Sequence, residues 1–481
     1  MYCENNASLI VRDLMTRVIR LFDAGTLVEK IDRIPIEAVP RQGTSYRCCI
    51  HKDRAVVRNR LLAILGIRVE GARDDLDAGG LAGFARQALA RTEPPGEVLT
   101  VIDEACSSCV QVQYQVTDVC RKCVARPCSA NCPKHAIEFF RERAHIDHTK
   151  CVNCGICQKV CPYHAIVYVP IPCEESCPVG AITRDAEGFQ DIDFGKCVFC
   201  GNCVDGCPFG AVMDVSHLID ILRLLQSGKR IVAMVAPAIV GQFPGDLPRL
   251  MAAINSLGFA DVIEVARGAD VAAVQEAQEF RERRERGEPF MTTSCCPSYN
   301  QLVEKHLPAM KRFRSEANTP MHFTARLVRE SDPEALVVFV GPCVGKRREI
   351  LDDPIVDHYL SFEELAALFS ARDIDPAKTE PYVPARSGLA GGRGFPVTGG
   401  VAAAIQAQAG PEAGVQPVCI DGLTRASVKQ LEQFAATATC PGTLVEVMAC
   451  VGGCVGGANV VGNPKVTAAK IKALVKATPP A

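Results

Sequence analysis

The sequence predicts two architectures in succession: an α+β region organised by clustered cysteines, then an α/β domain. Three observations predict it. Of 26 cysteines in 481 residues, most crowd between Cys106 and Pro208. In that stretch one pattern, cysteines followed by Cys-Pro and a short apolar tail, occurs four times: CPKHAI, CPYHAI, CPVGAI and CPFGAV, starting at Cys132, Cys161, Cys177 and Cys207. After Gly228 apolar strands alternate with helices, as IVAMVAP, ADVIEV, a helix near 270 to 285, ALVVFVGP, a helix near 361 to 371, and LVEVMAC.

The chain is too long for one core, and its texture divides it at 1–95, 96–227 and 228–481. Hydrophobic residues at 48% and charged residues at 22% describe a globular protein. With 53 basic and 55 acidic side chains there is no positive field, so neither nucleic acid nor an anionic membrane is an expected partner. The longest apolar run, Ile231 to Val240, is short and carries Pro237, which suits a buried strand and excludes membrane insertion by that segment. Met1 to Arg12 lacks the pattern of a secretory signal, so a cytoplasmic location is expected. In a reducing compartment so many cysteines point to metal ligation rather than disulfides. Only nine histidines occur, none at zinc-finger spacing, which favours iron and sulfide over zinc.

Residues 1–95 show amphipathic helical periodicity, as at Leu14, Val18, Ile19 and Leu21 to Phe22, and carry no functional signal. Gly79 to Gly80 and Glu93 to Gly96 read as loop punctuation before the cysteine array.

In the array, CxxCxxCxxxCP appears twice, at Cys151, Cys154, Cys157 and Cys161 and at Cys197, Cys200, Cys203 and Cys207. This is the bacterial ferredoxin run, in which three close thiolates hold one cubane and the fourth serves its neighbour. A variant with a longer middle spacing, Cys120, Cys123, Cys128 and Cys132, pairs with the first run. That gives the ligand sets Cys120, Cys123, Cys128, Cys161 and Cys151, Cys154, Cys157, Cys132. The run at 197 then lacks a partner, and two fragments remain, Cys106 with Cys109 and Cys173 with Cys177. Joined across the first unit they complete a second, as if one ferredoxin-like fold were inserted into a loop of another, with sets Cys106, Cys109, Cys173, Cys207 and Cys197, Cys200, Cys203, Cys177. The expectation is four [4Fe–4S] clusters; zinc, or no metal, at Cys106 and Cys109 is the alternative. His135, His145, His148 and His164 lie amid the array and are expected at the surface, not as ligands.

Three further motifs follow apolar strands: TSCCPSY from Thr293, PCVGKRRE from Pro342 and EVMACVGGCVGG from Glu446. Loops at strand ends of an open α/β sheet gather ligands, so the three can converge on one buried cofactor, with thiolates enough for a fifth cubane. Gly452, Gly453, Gly456 and Gly457 are expected to let the backbone approach it.

These motifs resemble the three signatures of the [FeFe]-hydrogenase catalytic domain, over roughly 230 to 458, and the cysteine array resembles the family's cluster-bearing extension. The resemblance implies an α/β iron hydrogenase domain with Cys296, Cys343, Cys450 and Cys454 on a catalytic [4Fe–4S] cubane. Cys454 would also bridge to a diiron subsite with CO, CN and a dithiolate bridge. It implies that Lys346 donates to a cyanide, that Cys295 passes protons to the bridge amine, and that Glu276, Glu279 and Ser315 continue the proton path. Read alone, Lys346 is equally a solvated lysine on a basic helix start, Cys295 a small buried hydrophobe, and the glutamate pair, beside Arg281, Arg283 and Arg284, a solvated helix face. The implied reaction interconverts H2 with protons and electrons. Implied partners are a ferredoxin-like electron carrier and the hydrogenase maturation proteins.

Three departures concern the surroundings of the site. Gly341 stands where the family has methionine, TPMHF (Thr319 to Phe323) replaces a glutamine-containing stretch, and the third motif continues GGAN. A hydrogen sensor or an iron–sulfur scaffold are the rival readings; such relatives lack the cysteine at the position of Cys295. Cys3, Cys48, Cys49, Cys419 and Cys440 have no partner at a convincing spacing.

Overall fold

The computed structural model describes residues 6–479 except 43–44, 71, 107–108, 110–112, 141–142, 186–188, 383 and 385–386, with the side chains of 73–78 also undescribed. Cys3 lies outside the described residues. Helix Asn6–Asp23 buries Leu14, Met15, Val18, Ile19 and Phe22 along one stripe, as its periodicity predicts. That stripe meets helix Phe362–Ala371 of the α/β region, and Arg12 pairs with Glu363 at 2.8 Å across the contact. One apolar core therefore runs from Leu14 through Leu99 and Ile219 to Val338 and Leu365.

Gly79 and Gly80 are not loop punctuation. They sit inside helix Arg73–Ala90, where Gly80 breaks the helical path at φ 66°. The restarted helix is capped from outside, Leu81 N–H donating to Asp32 Oδ1 at 2.7 Å, so a remote carboxylate takes the place of the usual N-cap side chain.

The cysteine region is built of short antiparallel pairs in nested order. Leu99–Val101 pairs with Val212–Asp214 and encloses everything between. Tyr114–Val116 pairs with Ile166–Tyr168 and closes the ends of an inner unit. Ile137–Phe140 pairs with Arg143–Ile146 inside it, and Ile182–Arg184 with Gln190–Ile192 in the outer one. The inner unit has its own small core of Ile137, Ala144, Ile146 and Ile166.

The α/β region holds two parallel sheets where the sequence suggested one. The first is ordered Asp261–Glu264, Ile231–Val235, Leu336–Gly341, His358–Ser361. The second is ordered Met291–Thr292, Leu444–Met448, Pro417–Asp421. Helix Ala266–Glu285 begins four residues earlier than its apolar pattern marks. Its start packs on helix Pro320–Ser331 so closely that a Cβ on Gly268 would collide with Pro320 O and Thr324 Oγ1.

Candidate metal centre

All four Cys-Pro repeats fold alike. The third residue after each cysteine, His135, His164, Gly180 or Gly210, takes positive φ of 49°, 50°, 63° or 55°. The turn aims the next N–H back at sulfur: Ala136, Ala165, Ala181 and Ala211 donate to Cys132, Cys161, Cys177 and Cys207 Sγ at 3.2–3.4 Å. Four backbone donors thus favour thiolate at four repeat cysteines. His135 and His164 occupy turn positions and, with His145 and His148, are exposed.

The cysteines gather in the quartets expected from spacing. Cys128 feels the charges of Cys161, Cys123 and Cys120, and Cys157 those of Cys151, Cys154 and Cys132. Cys173 feels Cys207, Cys106 and Cys109, and Cys203 feels Cys200, Cys197 and Cys177. Burial first, then these mutual repulsions, push the Cys157 thiol up to about 11 and Cys173 to about 12. Three quartets line hollows of about 370, 360 and 330 Å³. Among the described residues no group of three or more His, Cys, Asp or Glu is placed to hold a single metal ion. Apolar hollows ringed by four thiols fit a polynuclear iron–sulfur cluster: without its cations, four adjacent buried thiolates could not coexist.

A fifth quartet forms where the two sheets face each other. Cys296 follows Met291–Thr292 and starts helix Pro297–Lys305; Cys343 follows Leu336–Gly341 and starts helix Val344–Asp352. Cys450 and Cys454 leave Leu444–Met448 through a tight turn. Two of the four thiols thus sit at helix N-termini, where negative charge is favoured. Burial raises Cys450 well above its usual range, with Cys343, Cys454 and Cys296 adding; burial carries Cys454 to about 12. The four line one cavity of about 800 Å³ with Cys295, Lys346, Met321 and Phe339. The glycines of the third loop serve its own path more than close approach to a cofactor. Gly453 has φ 91°, and a Cβ there would stand 2.5 Å from Pro396 O.

Lys346 is buried, and its Nζ donates to Glu349 Oε2 at 2.7 Å; Thr319 Oγ1 donates to the other Glu349 oxygen. The solvated-lysine reading is thereby excluded. The space over Gly341 is taken by Phe339, whose Cε1 lies 2.5 Å from where a Cβ would be. Asn459, of the divergent GGAN, donates to Asp214 at 2.8 Å and ties the third loop to the cysteine region.

The glutamate pair is not a solvated face. Glu276 is 1% exposed, and its Oε1 accepts from Ser294 N and Oγ at 2.9 and 3.2 Å. Burial raises its carboxyl to about 7, with Ser294 and Ser315 opposing and Glu279 adding. Its Oε2 accepts no hydrogen bond, because the Ser315 hydroxyl donates instead to Glu279 Oε2 at 2.6 Å. Arg283, which the sequence suggested at the surface, is buried and holds Glu279 at 2.7 Å and Glu288 at 2.9 Å. Burial lifts the Cys295 thiol well above its usual range, and Glu276 is the charge acting on it most strongly. Glu349, Ser294 and Arg283 escaped the sequence reading. Only Glu349 left a signal, three residues after Lys346 on one helix face.

Comparison with known proteins gives these motifs a family. Residues 229–458 match the model "Iron only hydrogenase large subunit, C-terminal domain", 144–167 a 4Fe-4S binding domain and 172–211 a 4Fe-4S dicluster domain. Iron hydrogenase 1 of Clostridium pasteurianum is 28% identical over 69% of this chain and 68% of its own length. The NADP-reducing hydrogenase subunit HndD of Solidesulfovibrio fructosivorans is 26% identical over 49% of this chain, which spans 50% of that relative. A solved structure of the [FeFe]-hydrogenase HydA1 from Chlamydomonas reinhardtii, variant E144A, aligns over 54% of this chain and 88% of its own at 22% identity and TM-score 0.46. With an iron-only hydrogenase domain preceded by 4Fe-4S modules, the chain belongs to the [FeFe]-hydrogenase family.

Proposed function

We propose that the chain catalyses H2 ⇌ 2H⁺ + 2e⁻, exchanging electrons with a ferredoxin-type carrier through four N-terminal [4Fe–4S] clusters. The proposed division of labour is 228–481 for catalysis, 96–227 for electron transfer and 1–95 as a helical brace on the catalytic core. The observation that carries the reading is the meeting of Cys296, Cys343, Cys450 and Cys454 in one cavity with a fifth thiol, Cys295, beside them. When bound there, a [4Fe–4S] cubane linked to a diiron subsite would supply the centre for H2 cleavage and electron uptake.

The chain's own residues bind, orient and move protons. Cys296, Cys343, Cys450 and Cys454 hold the cubane. Lys346, fixed by Glu349, presents its ammonium at the cavity wall as a donor for an anionic ligand. Cys295 stays protonated at neutral pH and can give or take a proton at Sγ. Glu276, poised at about 7, is matched to receive it. Turning the Ser315 hydroxyl from Glu279 to the unpartnered Glu276 Oε2 bridges the two carboxylates and carries the proton outward.

The test is hydrogen evolution from reduced methyl viologen, after production with the maturation proteins, with infrared spectra in the carbonyl and cyanide region. The expected outcome is turnover with those bands present. Their failure to appear after maturation refutes the reading.

A further inference from the structure

We propose that the exposed loop Arg121 to Arg126 of the inner unit is the docking loop for an acidic electron-carrier protein; this rests on the electron-exchange reading above. Residues 113–169 carry eight basic and four acidic side chains in a chain that is net −2. The inner unit is thus a positive body on a negative one. Within it the loop concentrates Arg121, Lys122 and Arg126, all exposed, around the half-buried Cys123. At its tip Val124 is 99% exposed and Val119 follows at 52%. An apolar centre rimmed by charges of one sign is the anatomy of a transient, electrostatically steered interface.

The loop is also preset. Arg126 lies over the Phe139 ring at 4.3 Å, and the nearby acid, Asp118, is committed to Arg143 at 2.6 Å. Behind the loop is the hollow of about 360 Å³ lined by Cys120, Cys123, Cys128 and Cys161. A partner seated on Val124 therefore sits directly over a cluster-binding quartet. The inner unit's other quartet exposes Cys154, but the neighbouring Lys150 is neutralised by Glu138 and Asp147. Three cations on one short loop give too small a footprint for a polyanion such as nucleic acid, and the apolar tip fits a protein surface.

The test is the affinity of the full chain for an acidic [2Fe–2S] ferredoxin, measured by calorimetry at low and high salt, in wild type, Arg121→Glu/Lys122→Glu and the distant reversal Lys429→Glu. The expected result is a roughly tenfold rise in Kd for the double variant and a weaker salt dependence, with Lys429→Glu unchanged. The ratio of ferredoxin-linked to methyl-viologen-linked rates should fall by a similar factor. An unchanged Kd in the double variant, or an equal loss in Lys429→Glu, overturns the docking loop. Because Kd needs no turnover, a chain that is inactive with methyl viologen yet binds as expected sinks the hydrogenase reading and leaves the docking loop standing.

Discussion

Replacing Glu276 with glutamine tests the site through stability as well as turnover. The folded carboxyl titrates near 7 against an ordinary 4.5, chiefly because it is buried. Between those values the folded chain keeps a proton that the unfolded chain has released, so stability falls as pH rises through the window. At 1.36 kcal/mol per unit, the loss is about 3 kcal/mol by neutrality. Glutamine keeps the shape and cannot ionise. Thermal unfolding of wild type and Glu276→Gln, compared at about pH 5 and about pH 8, should therefore show the variant gaining on wild type at the higher pH. For a cooperative unit the size of the hydrogenase domain, the gain is roughly 5–10 °C in Tm. The same variant should turn over roughly 10²-fold or more slowly with methyl viologen, since an amide relays no proton by this route. A Tm difference that does not change between the two pH values would refute the buried, raised carboxyl and the relay built on it.

Three other outcomes follow from the geometry. Cys295→Ala should lower hydrogen turnover by roughly 10²–10⁴-fold while iron content and the carbonyl and cyanide bands persist, because the thiol is beside the quartet and not in it; loss of the bands would assign Cys295 to cofactor binding instead. Gly341→Met should destabilise by about 1–3 kcal/mol through collision with Phe339, and Phe339→Ala in the same chain should recover most of it, as a double-mutant cycle followed by Tm will read. Gly268→Ala should cost about 2–4 kcal/mol in unfolding experiments, since its Cβ would strike Pro320 O across a helix contact that cannot open without shifting the cavity wall.

What the sequence disclosed was set by how local the signal is. Ligand quartets were legible because thiolates wrap a cubane at fixed spacings, and the leftover CxxC and CxxxCP fragments forced the nested arrangement. The apolar strands after Gly228 were legible too. Their division into two sheets was not, because Met291–Thr292 is too short to carry a period and Pro417–Asp421 is an edge strand with alternating exposure. Gly80 read as a loop because its cap, Asp32, is 48 residues distant in the chain. Arg283 read as solvated for a similar reason: its partners include the carbonyls of Arg312 and Arg314, which no helix pattern reveals. Conversely, the buried Glu276 needed the family likeness, since charge at helical spacing ordinarily marks the wet side.

The pairing of Tyr114–Val116 with Ile166–Tyr168 brings the two ends of the inner unit side by side. Such an insertion behaves as a cassette: its host sees a hairpin-width gap whatever the insert's length, so gaining or losing two clusters leaves the host's geometry almost undisturbed. It also sets an order of assembly. The host's thiols from Cys106 and Cys173 are separated by the whole insert, and the entropy of joining them is reduced once the insert has collapsed into a compact body. The outermost relay stations are therefore the first to mature, and the wire is built from its far end inward.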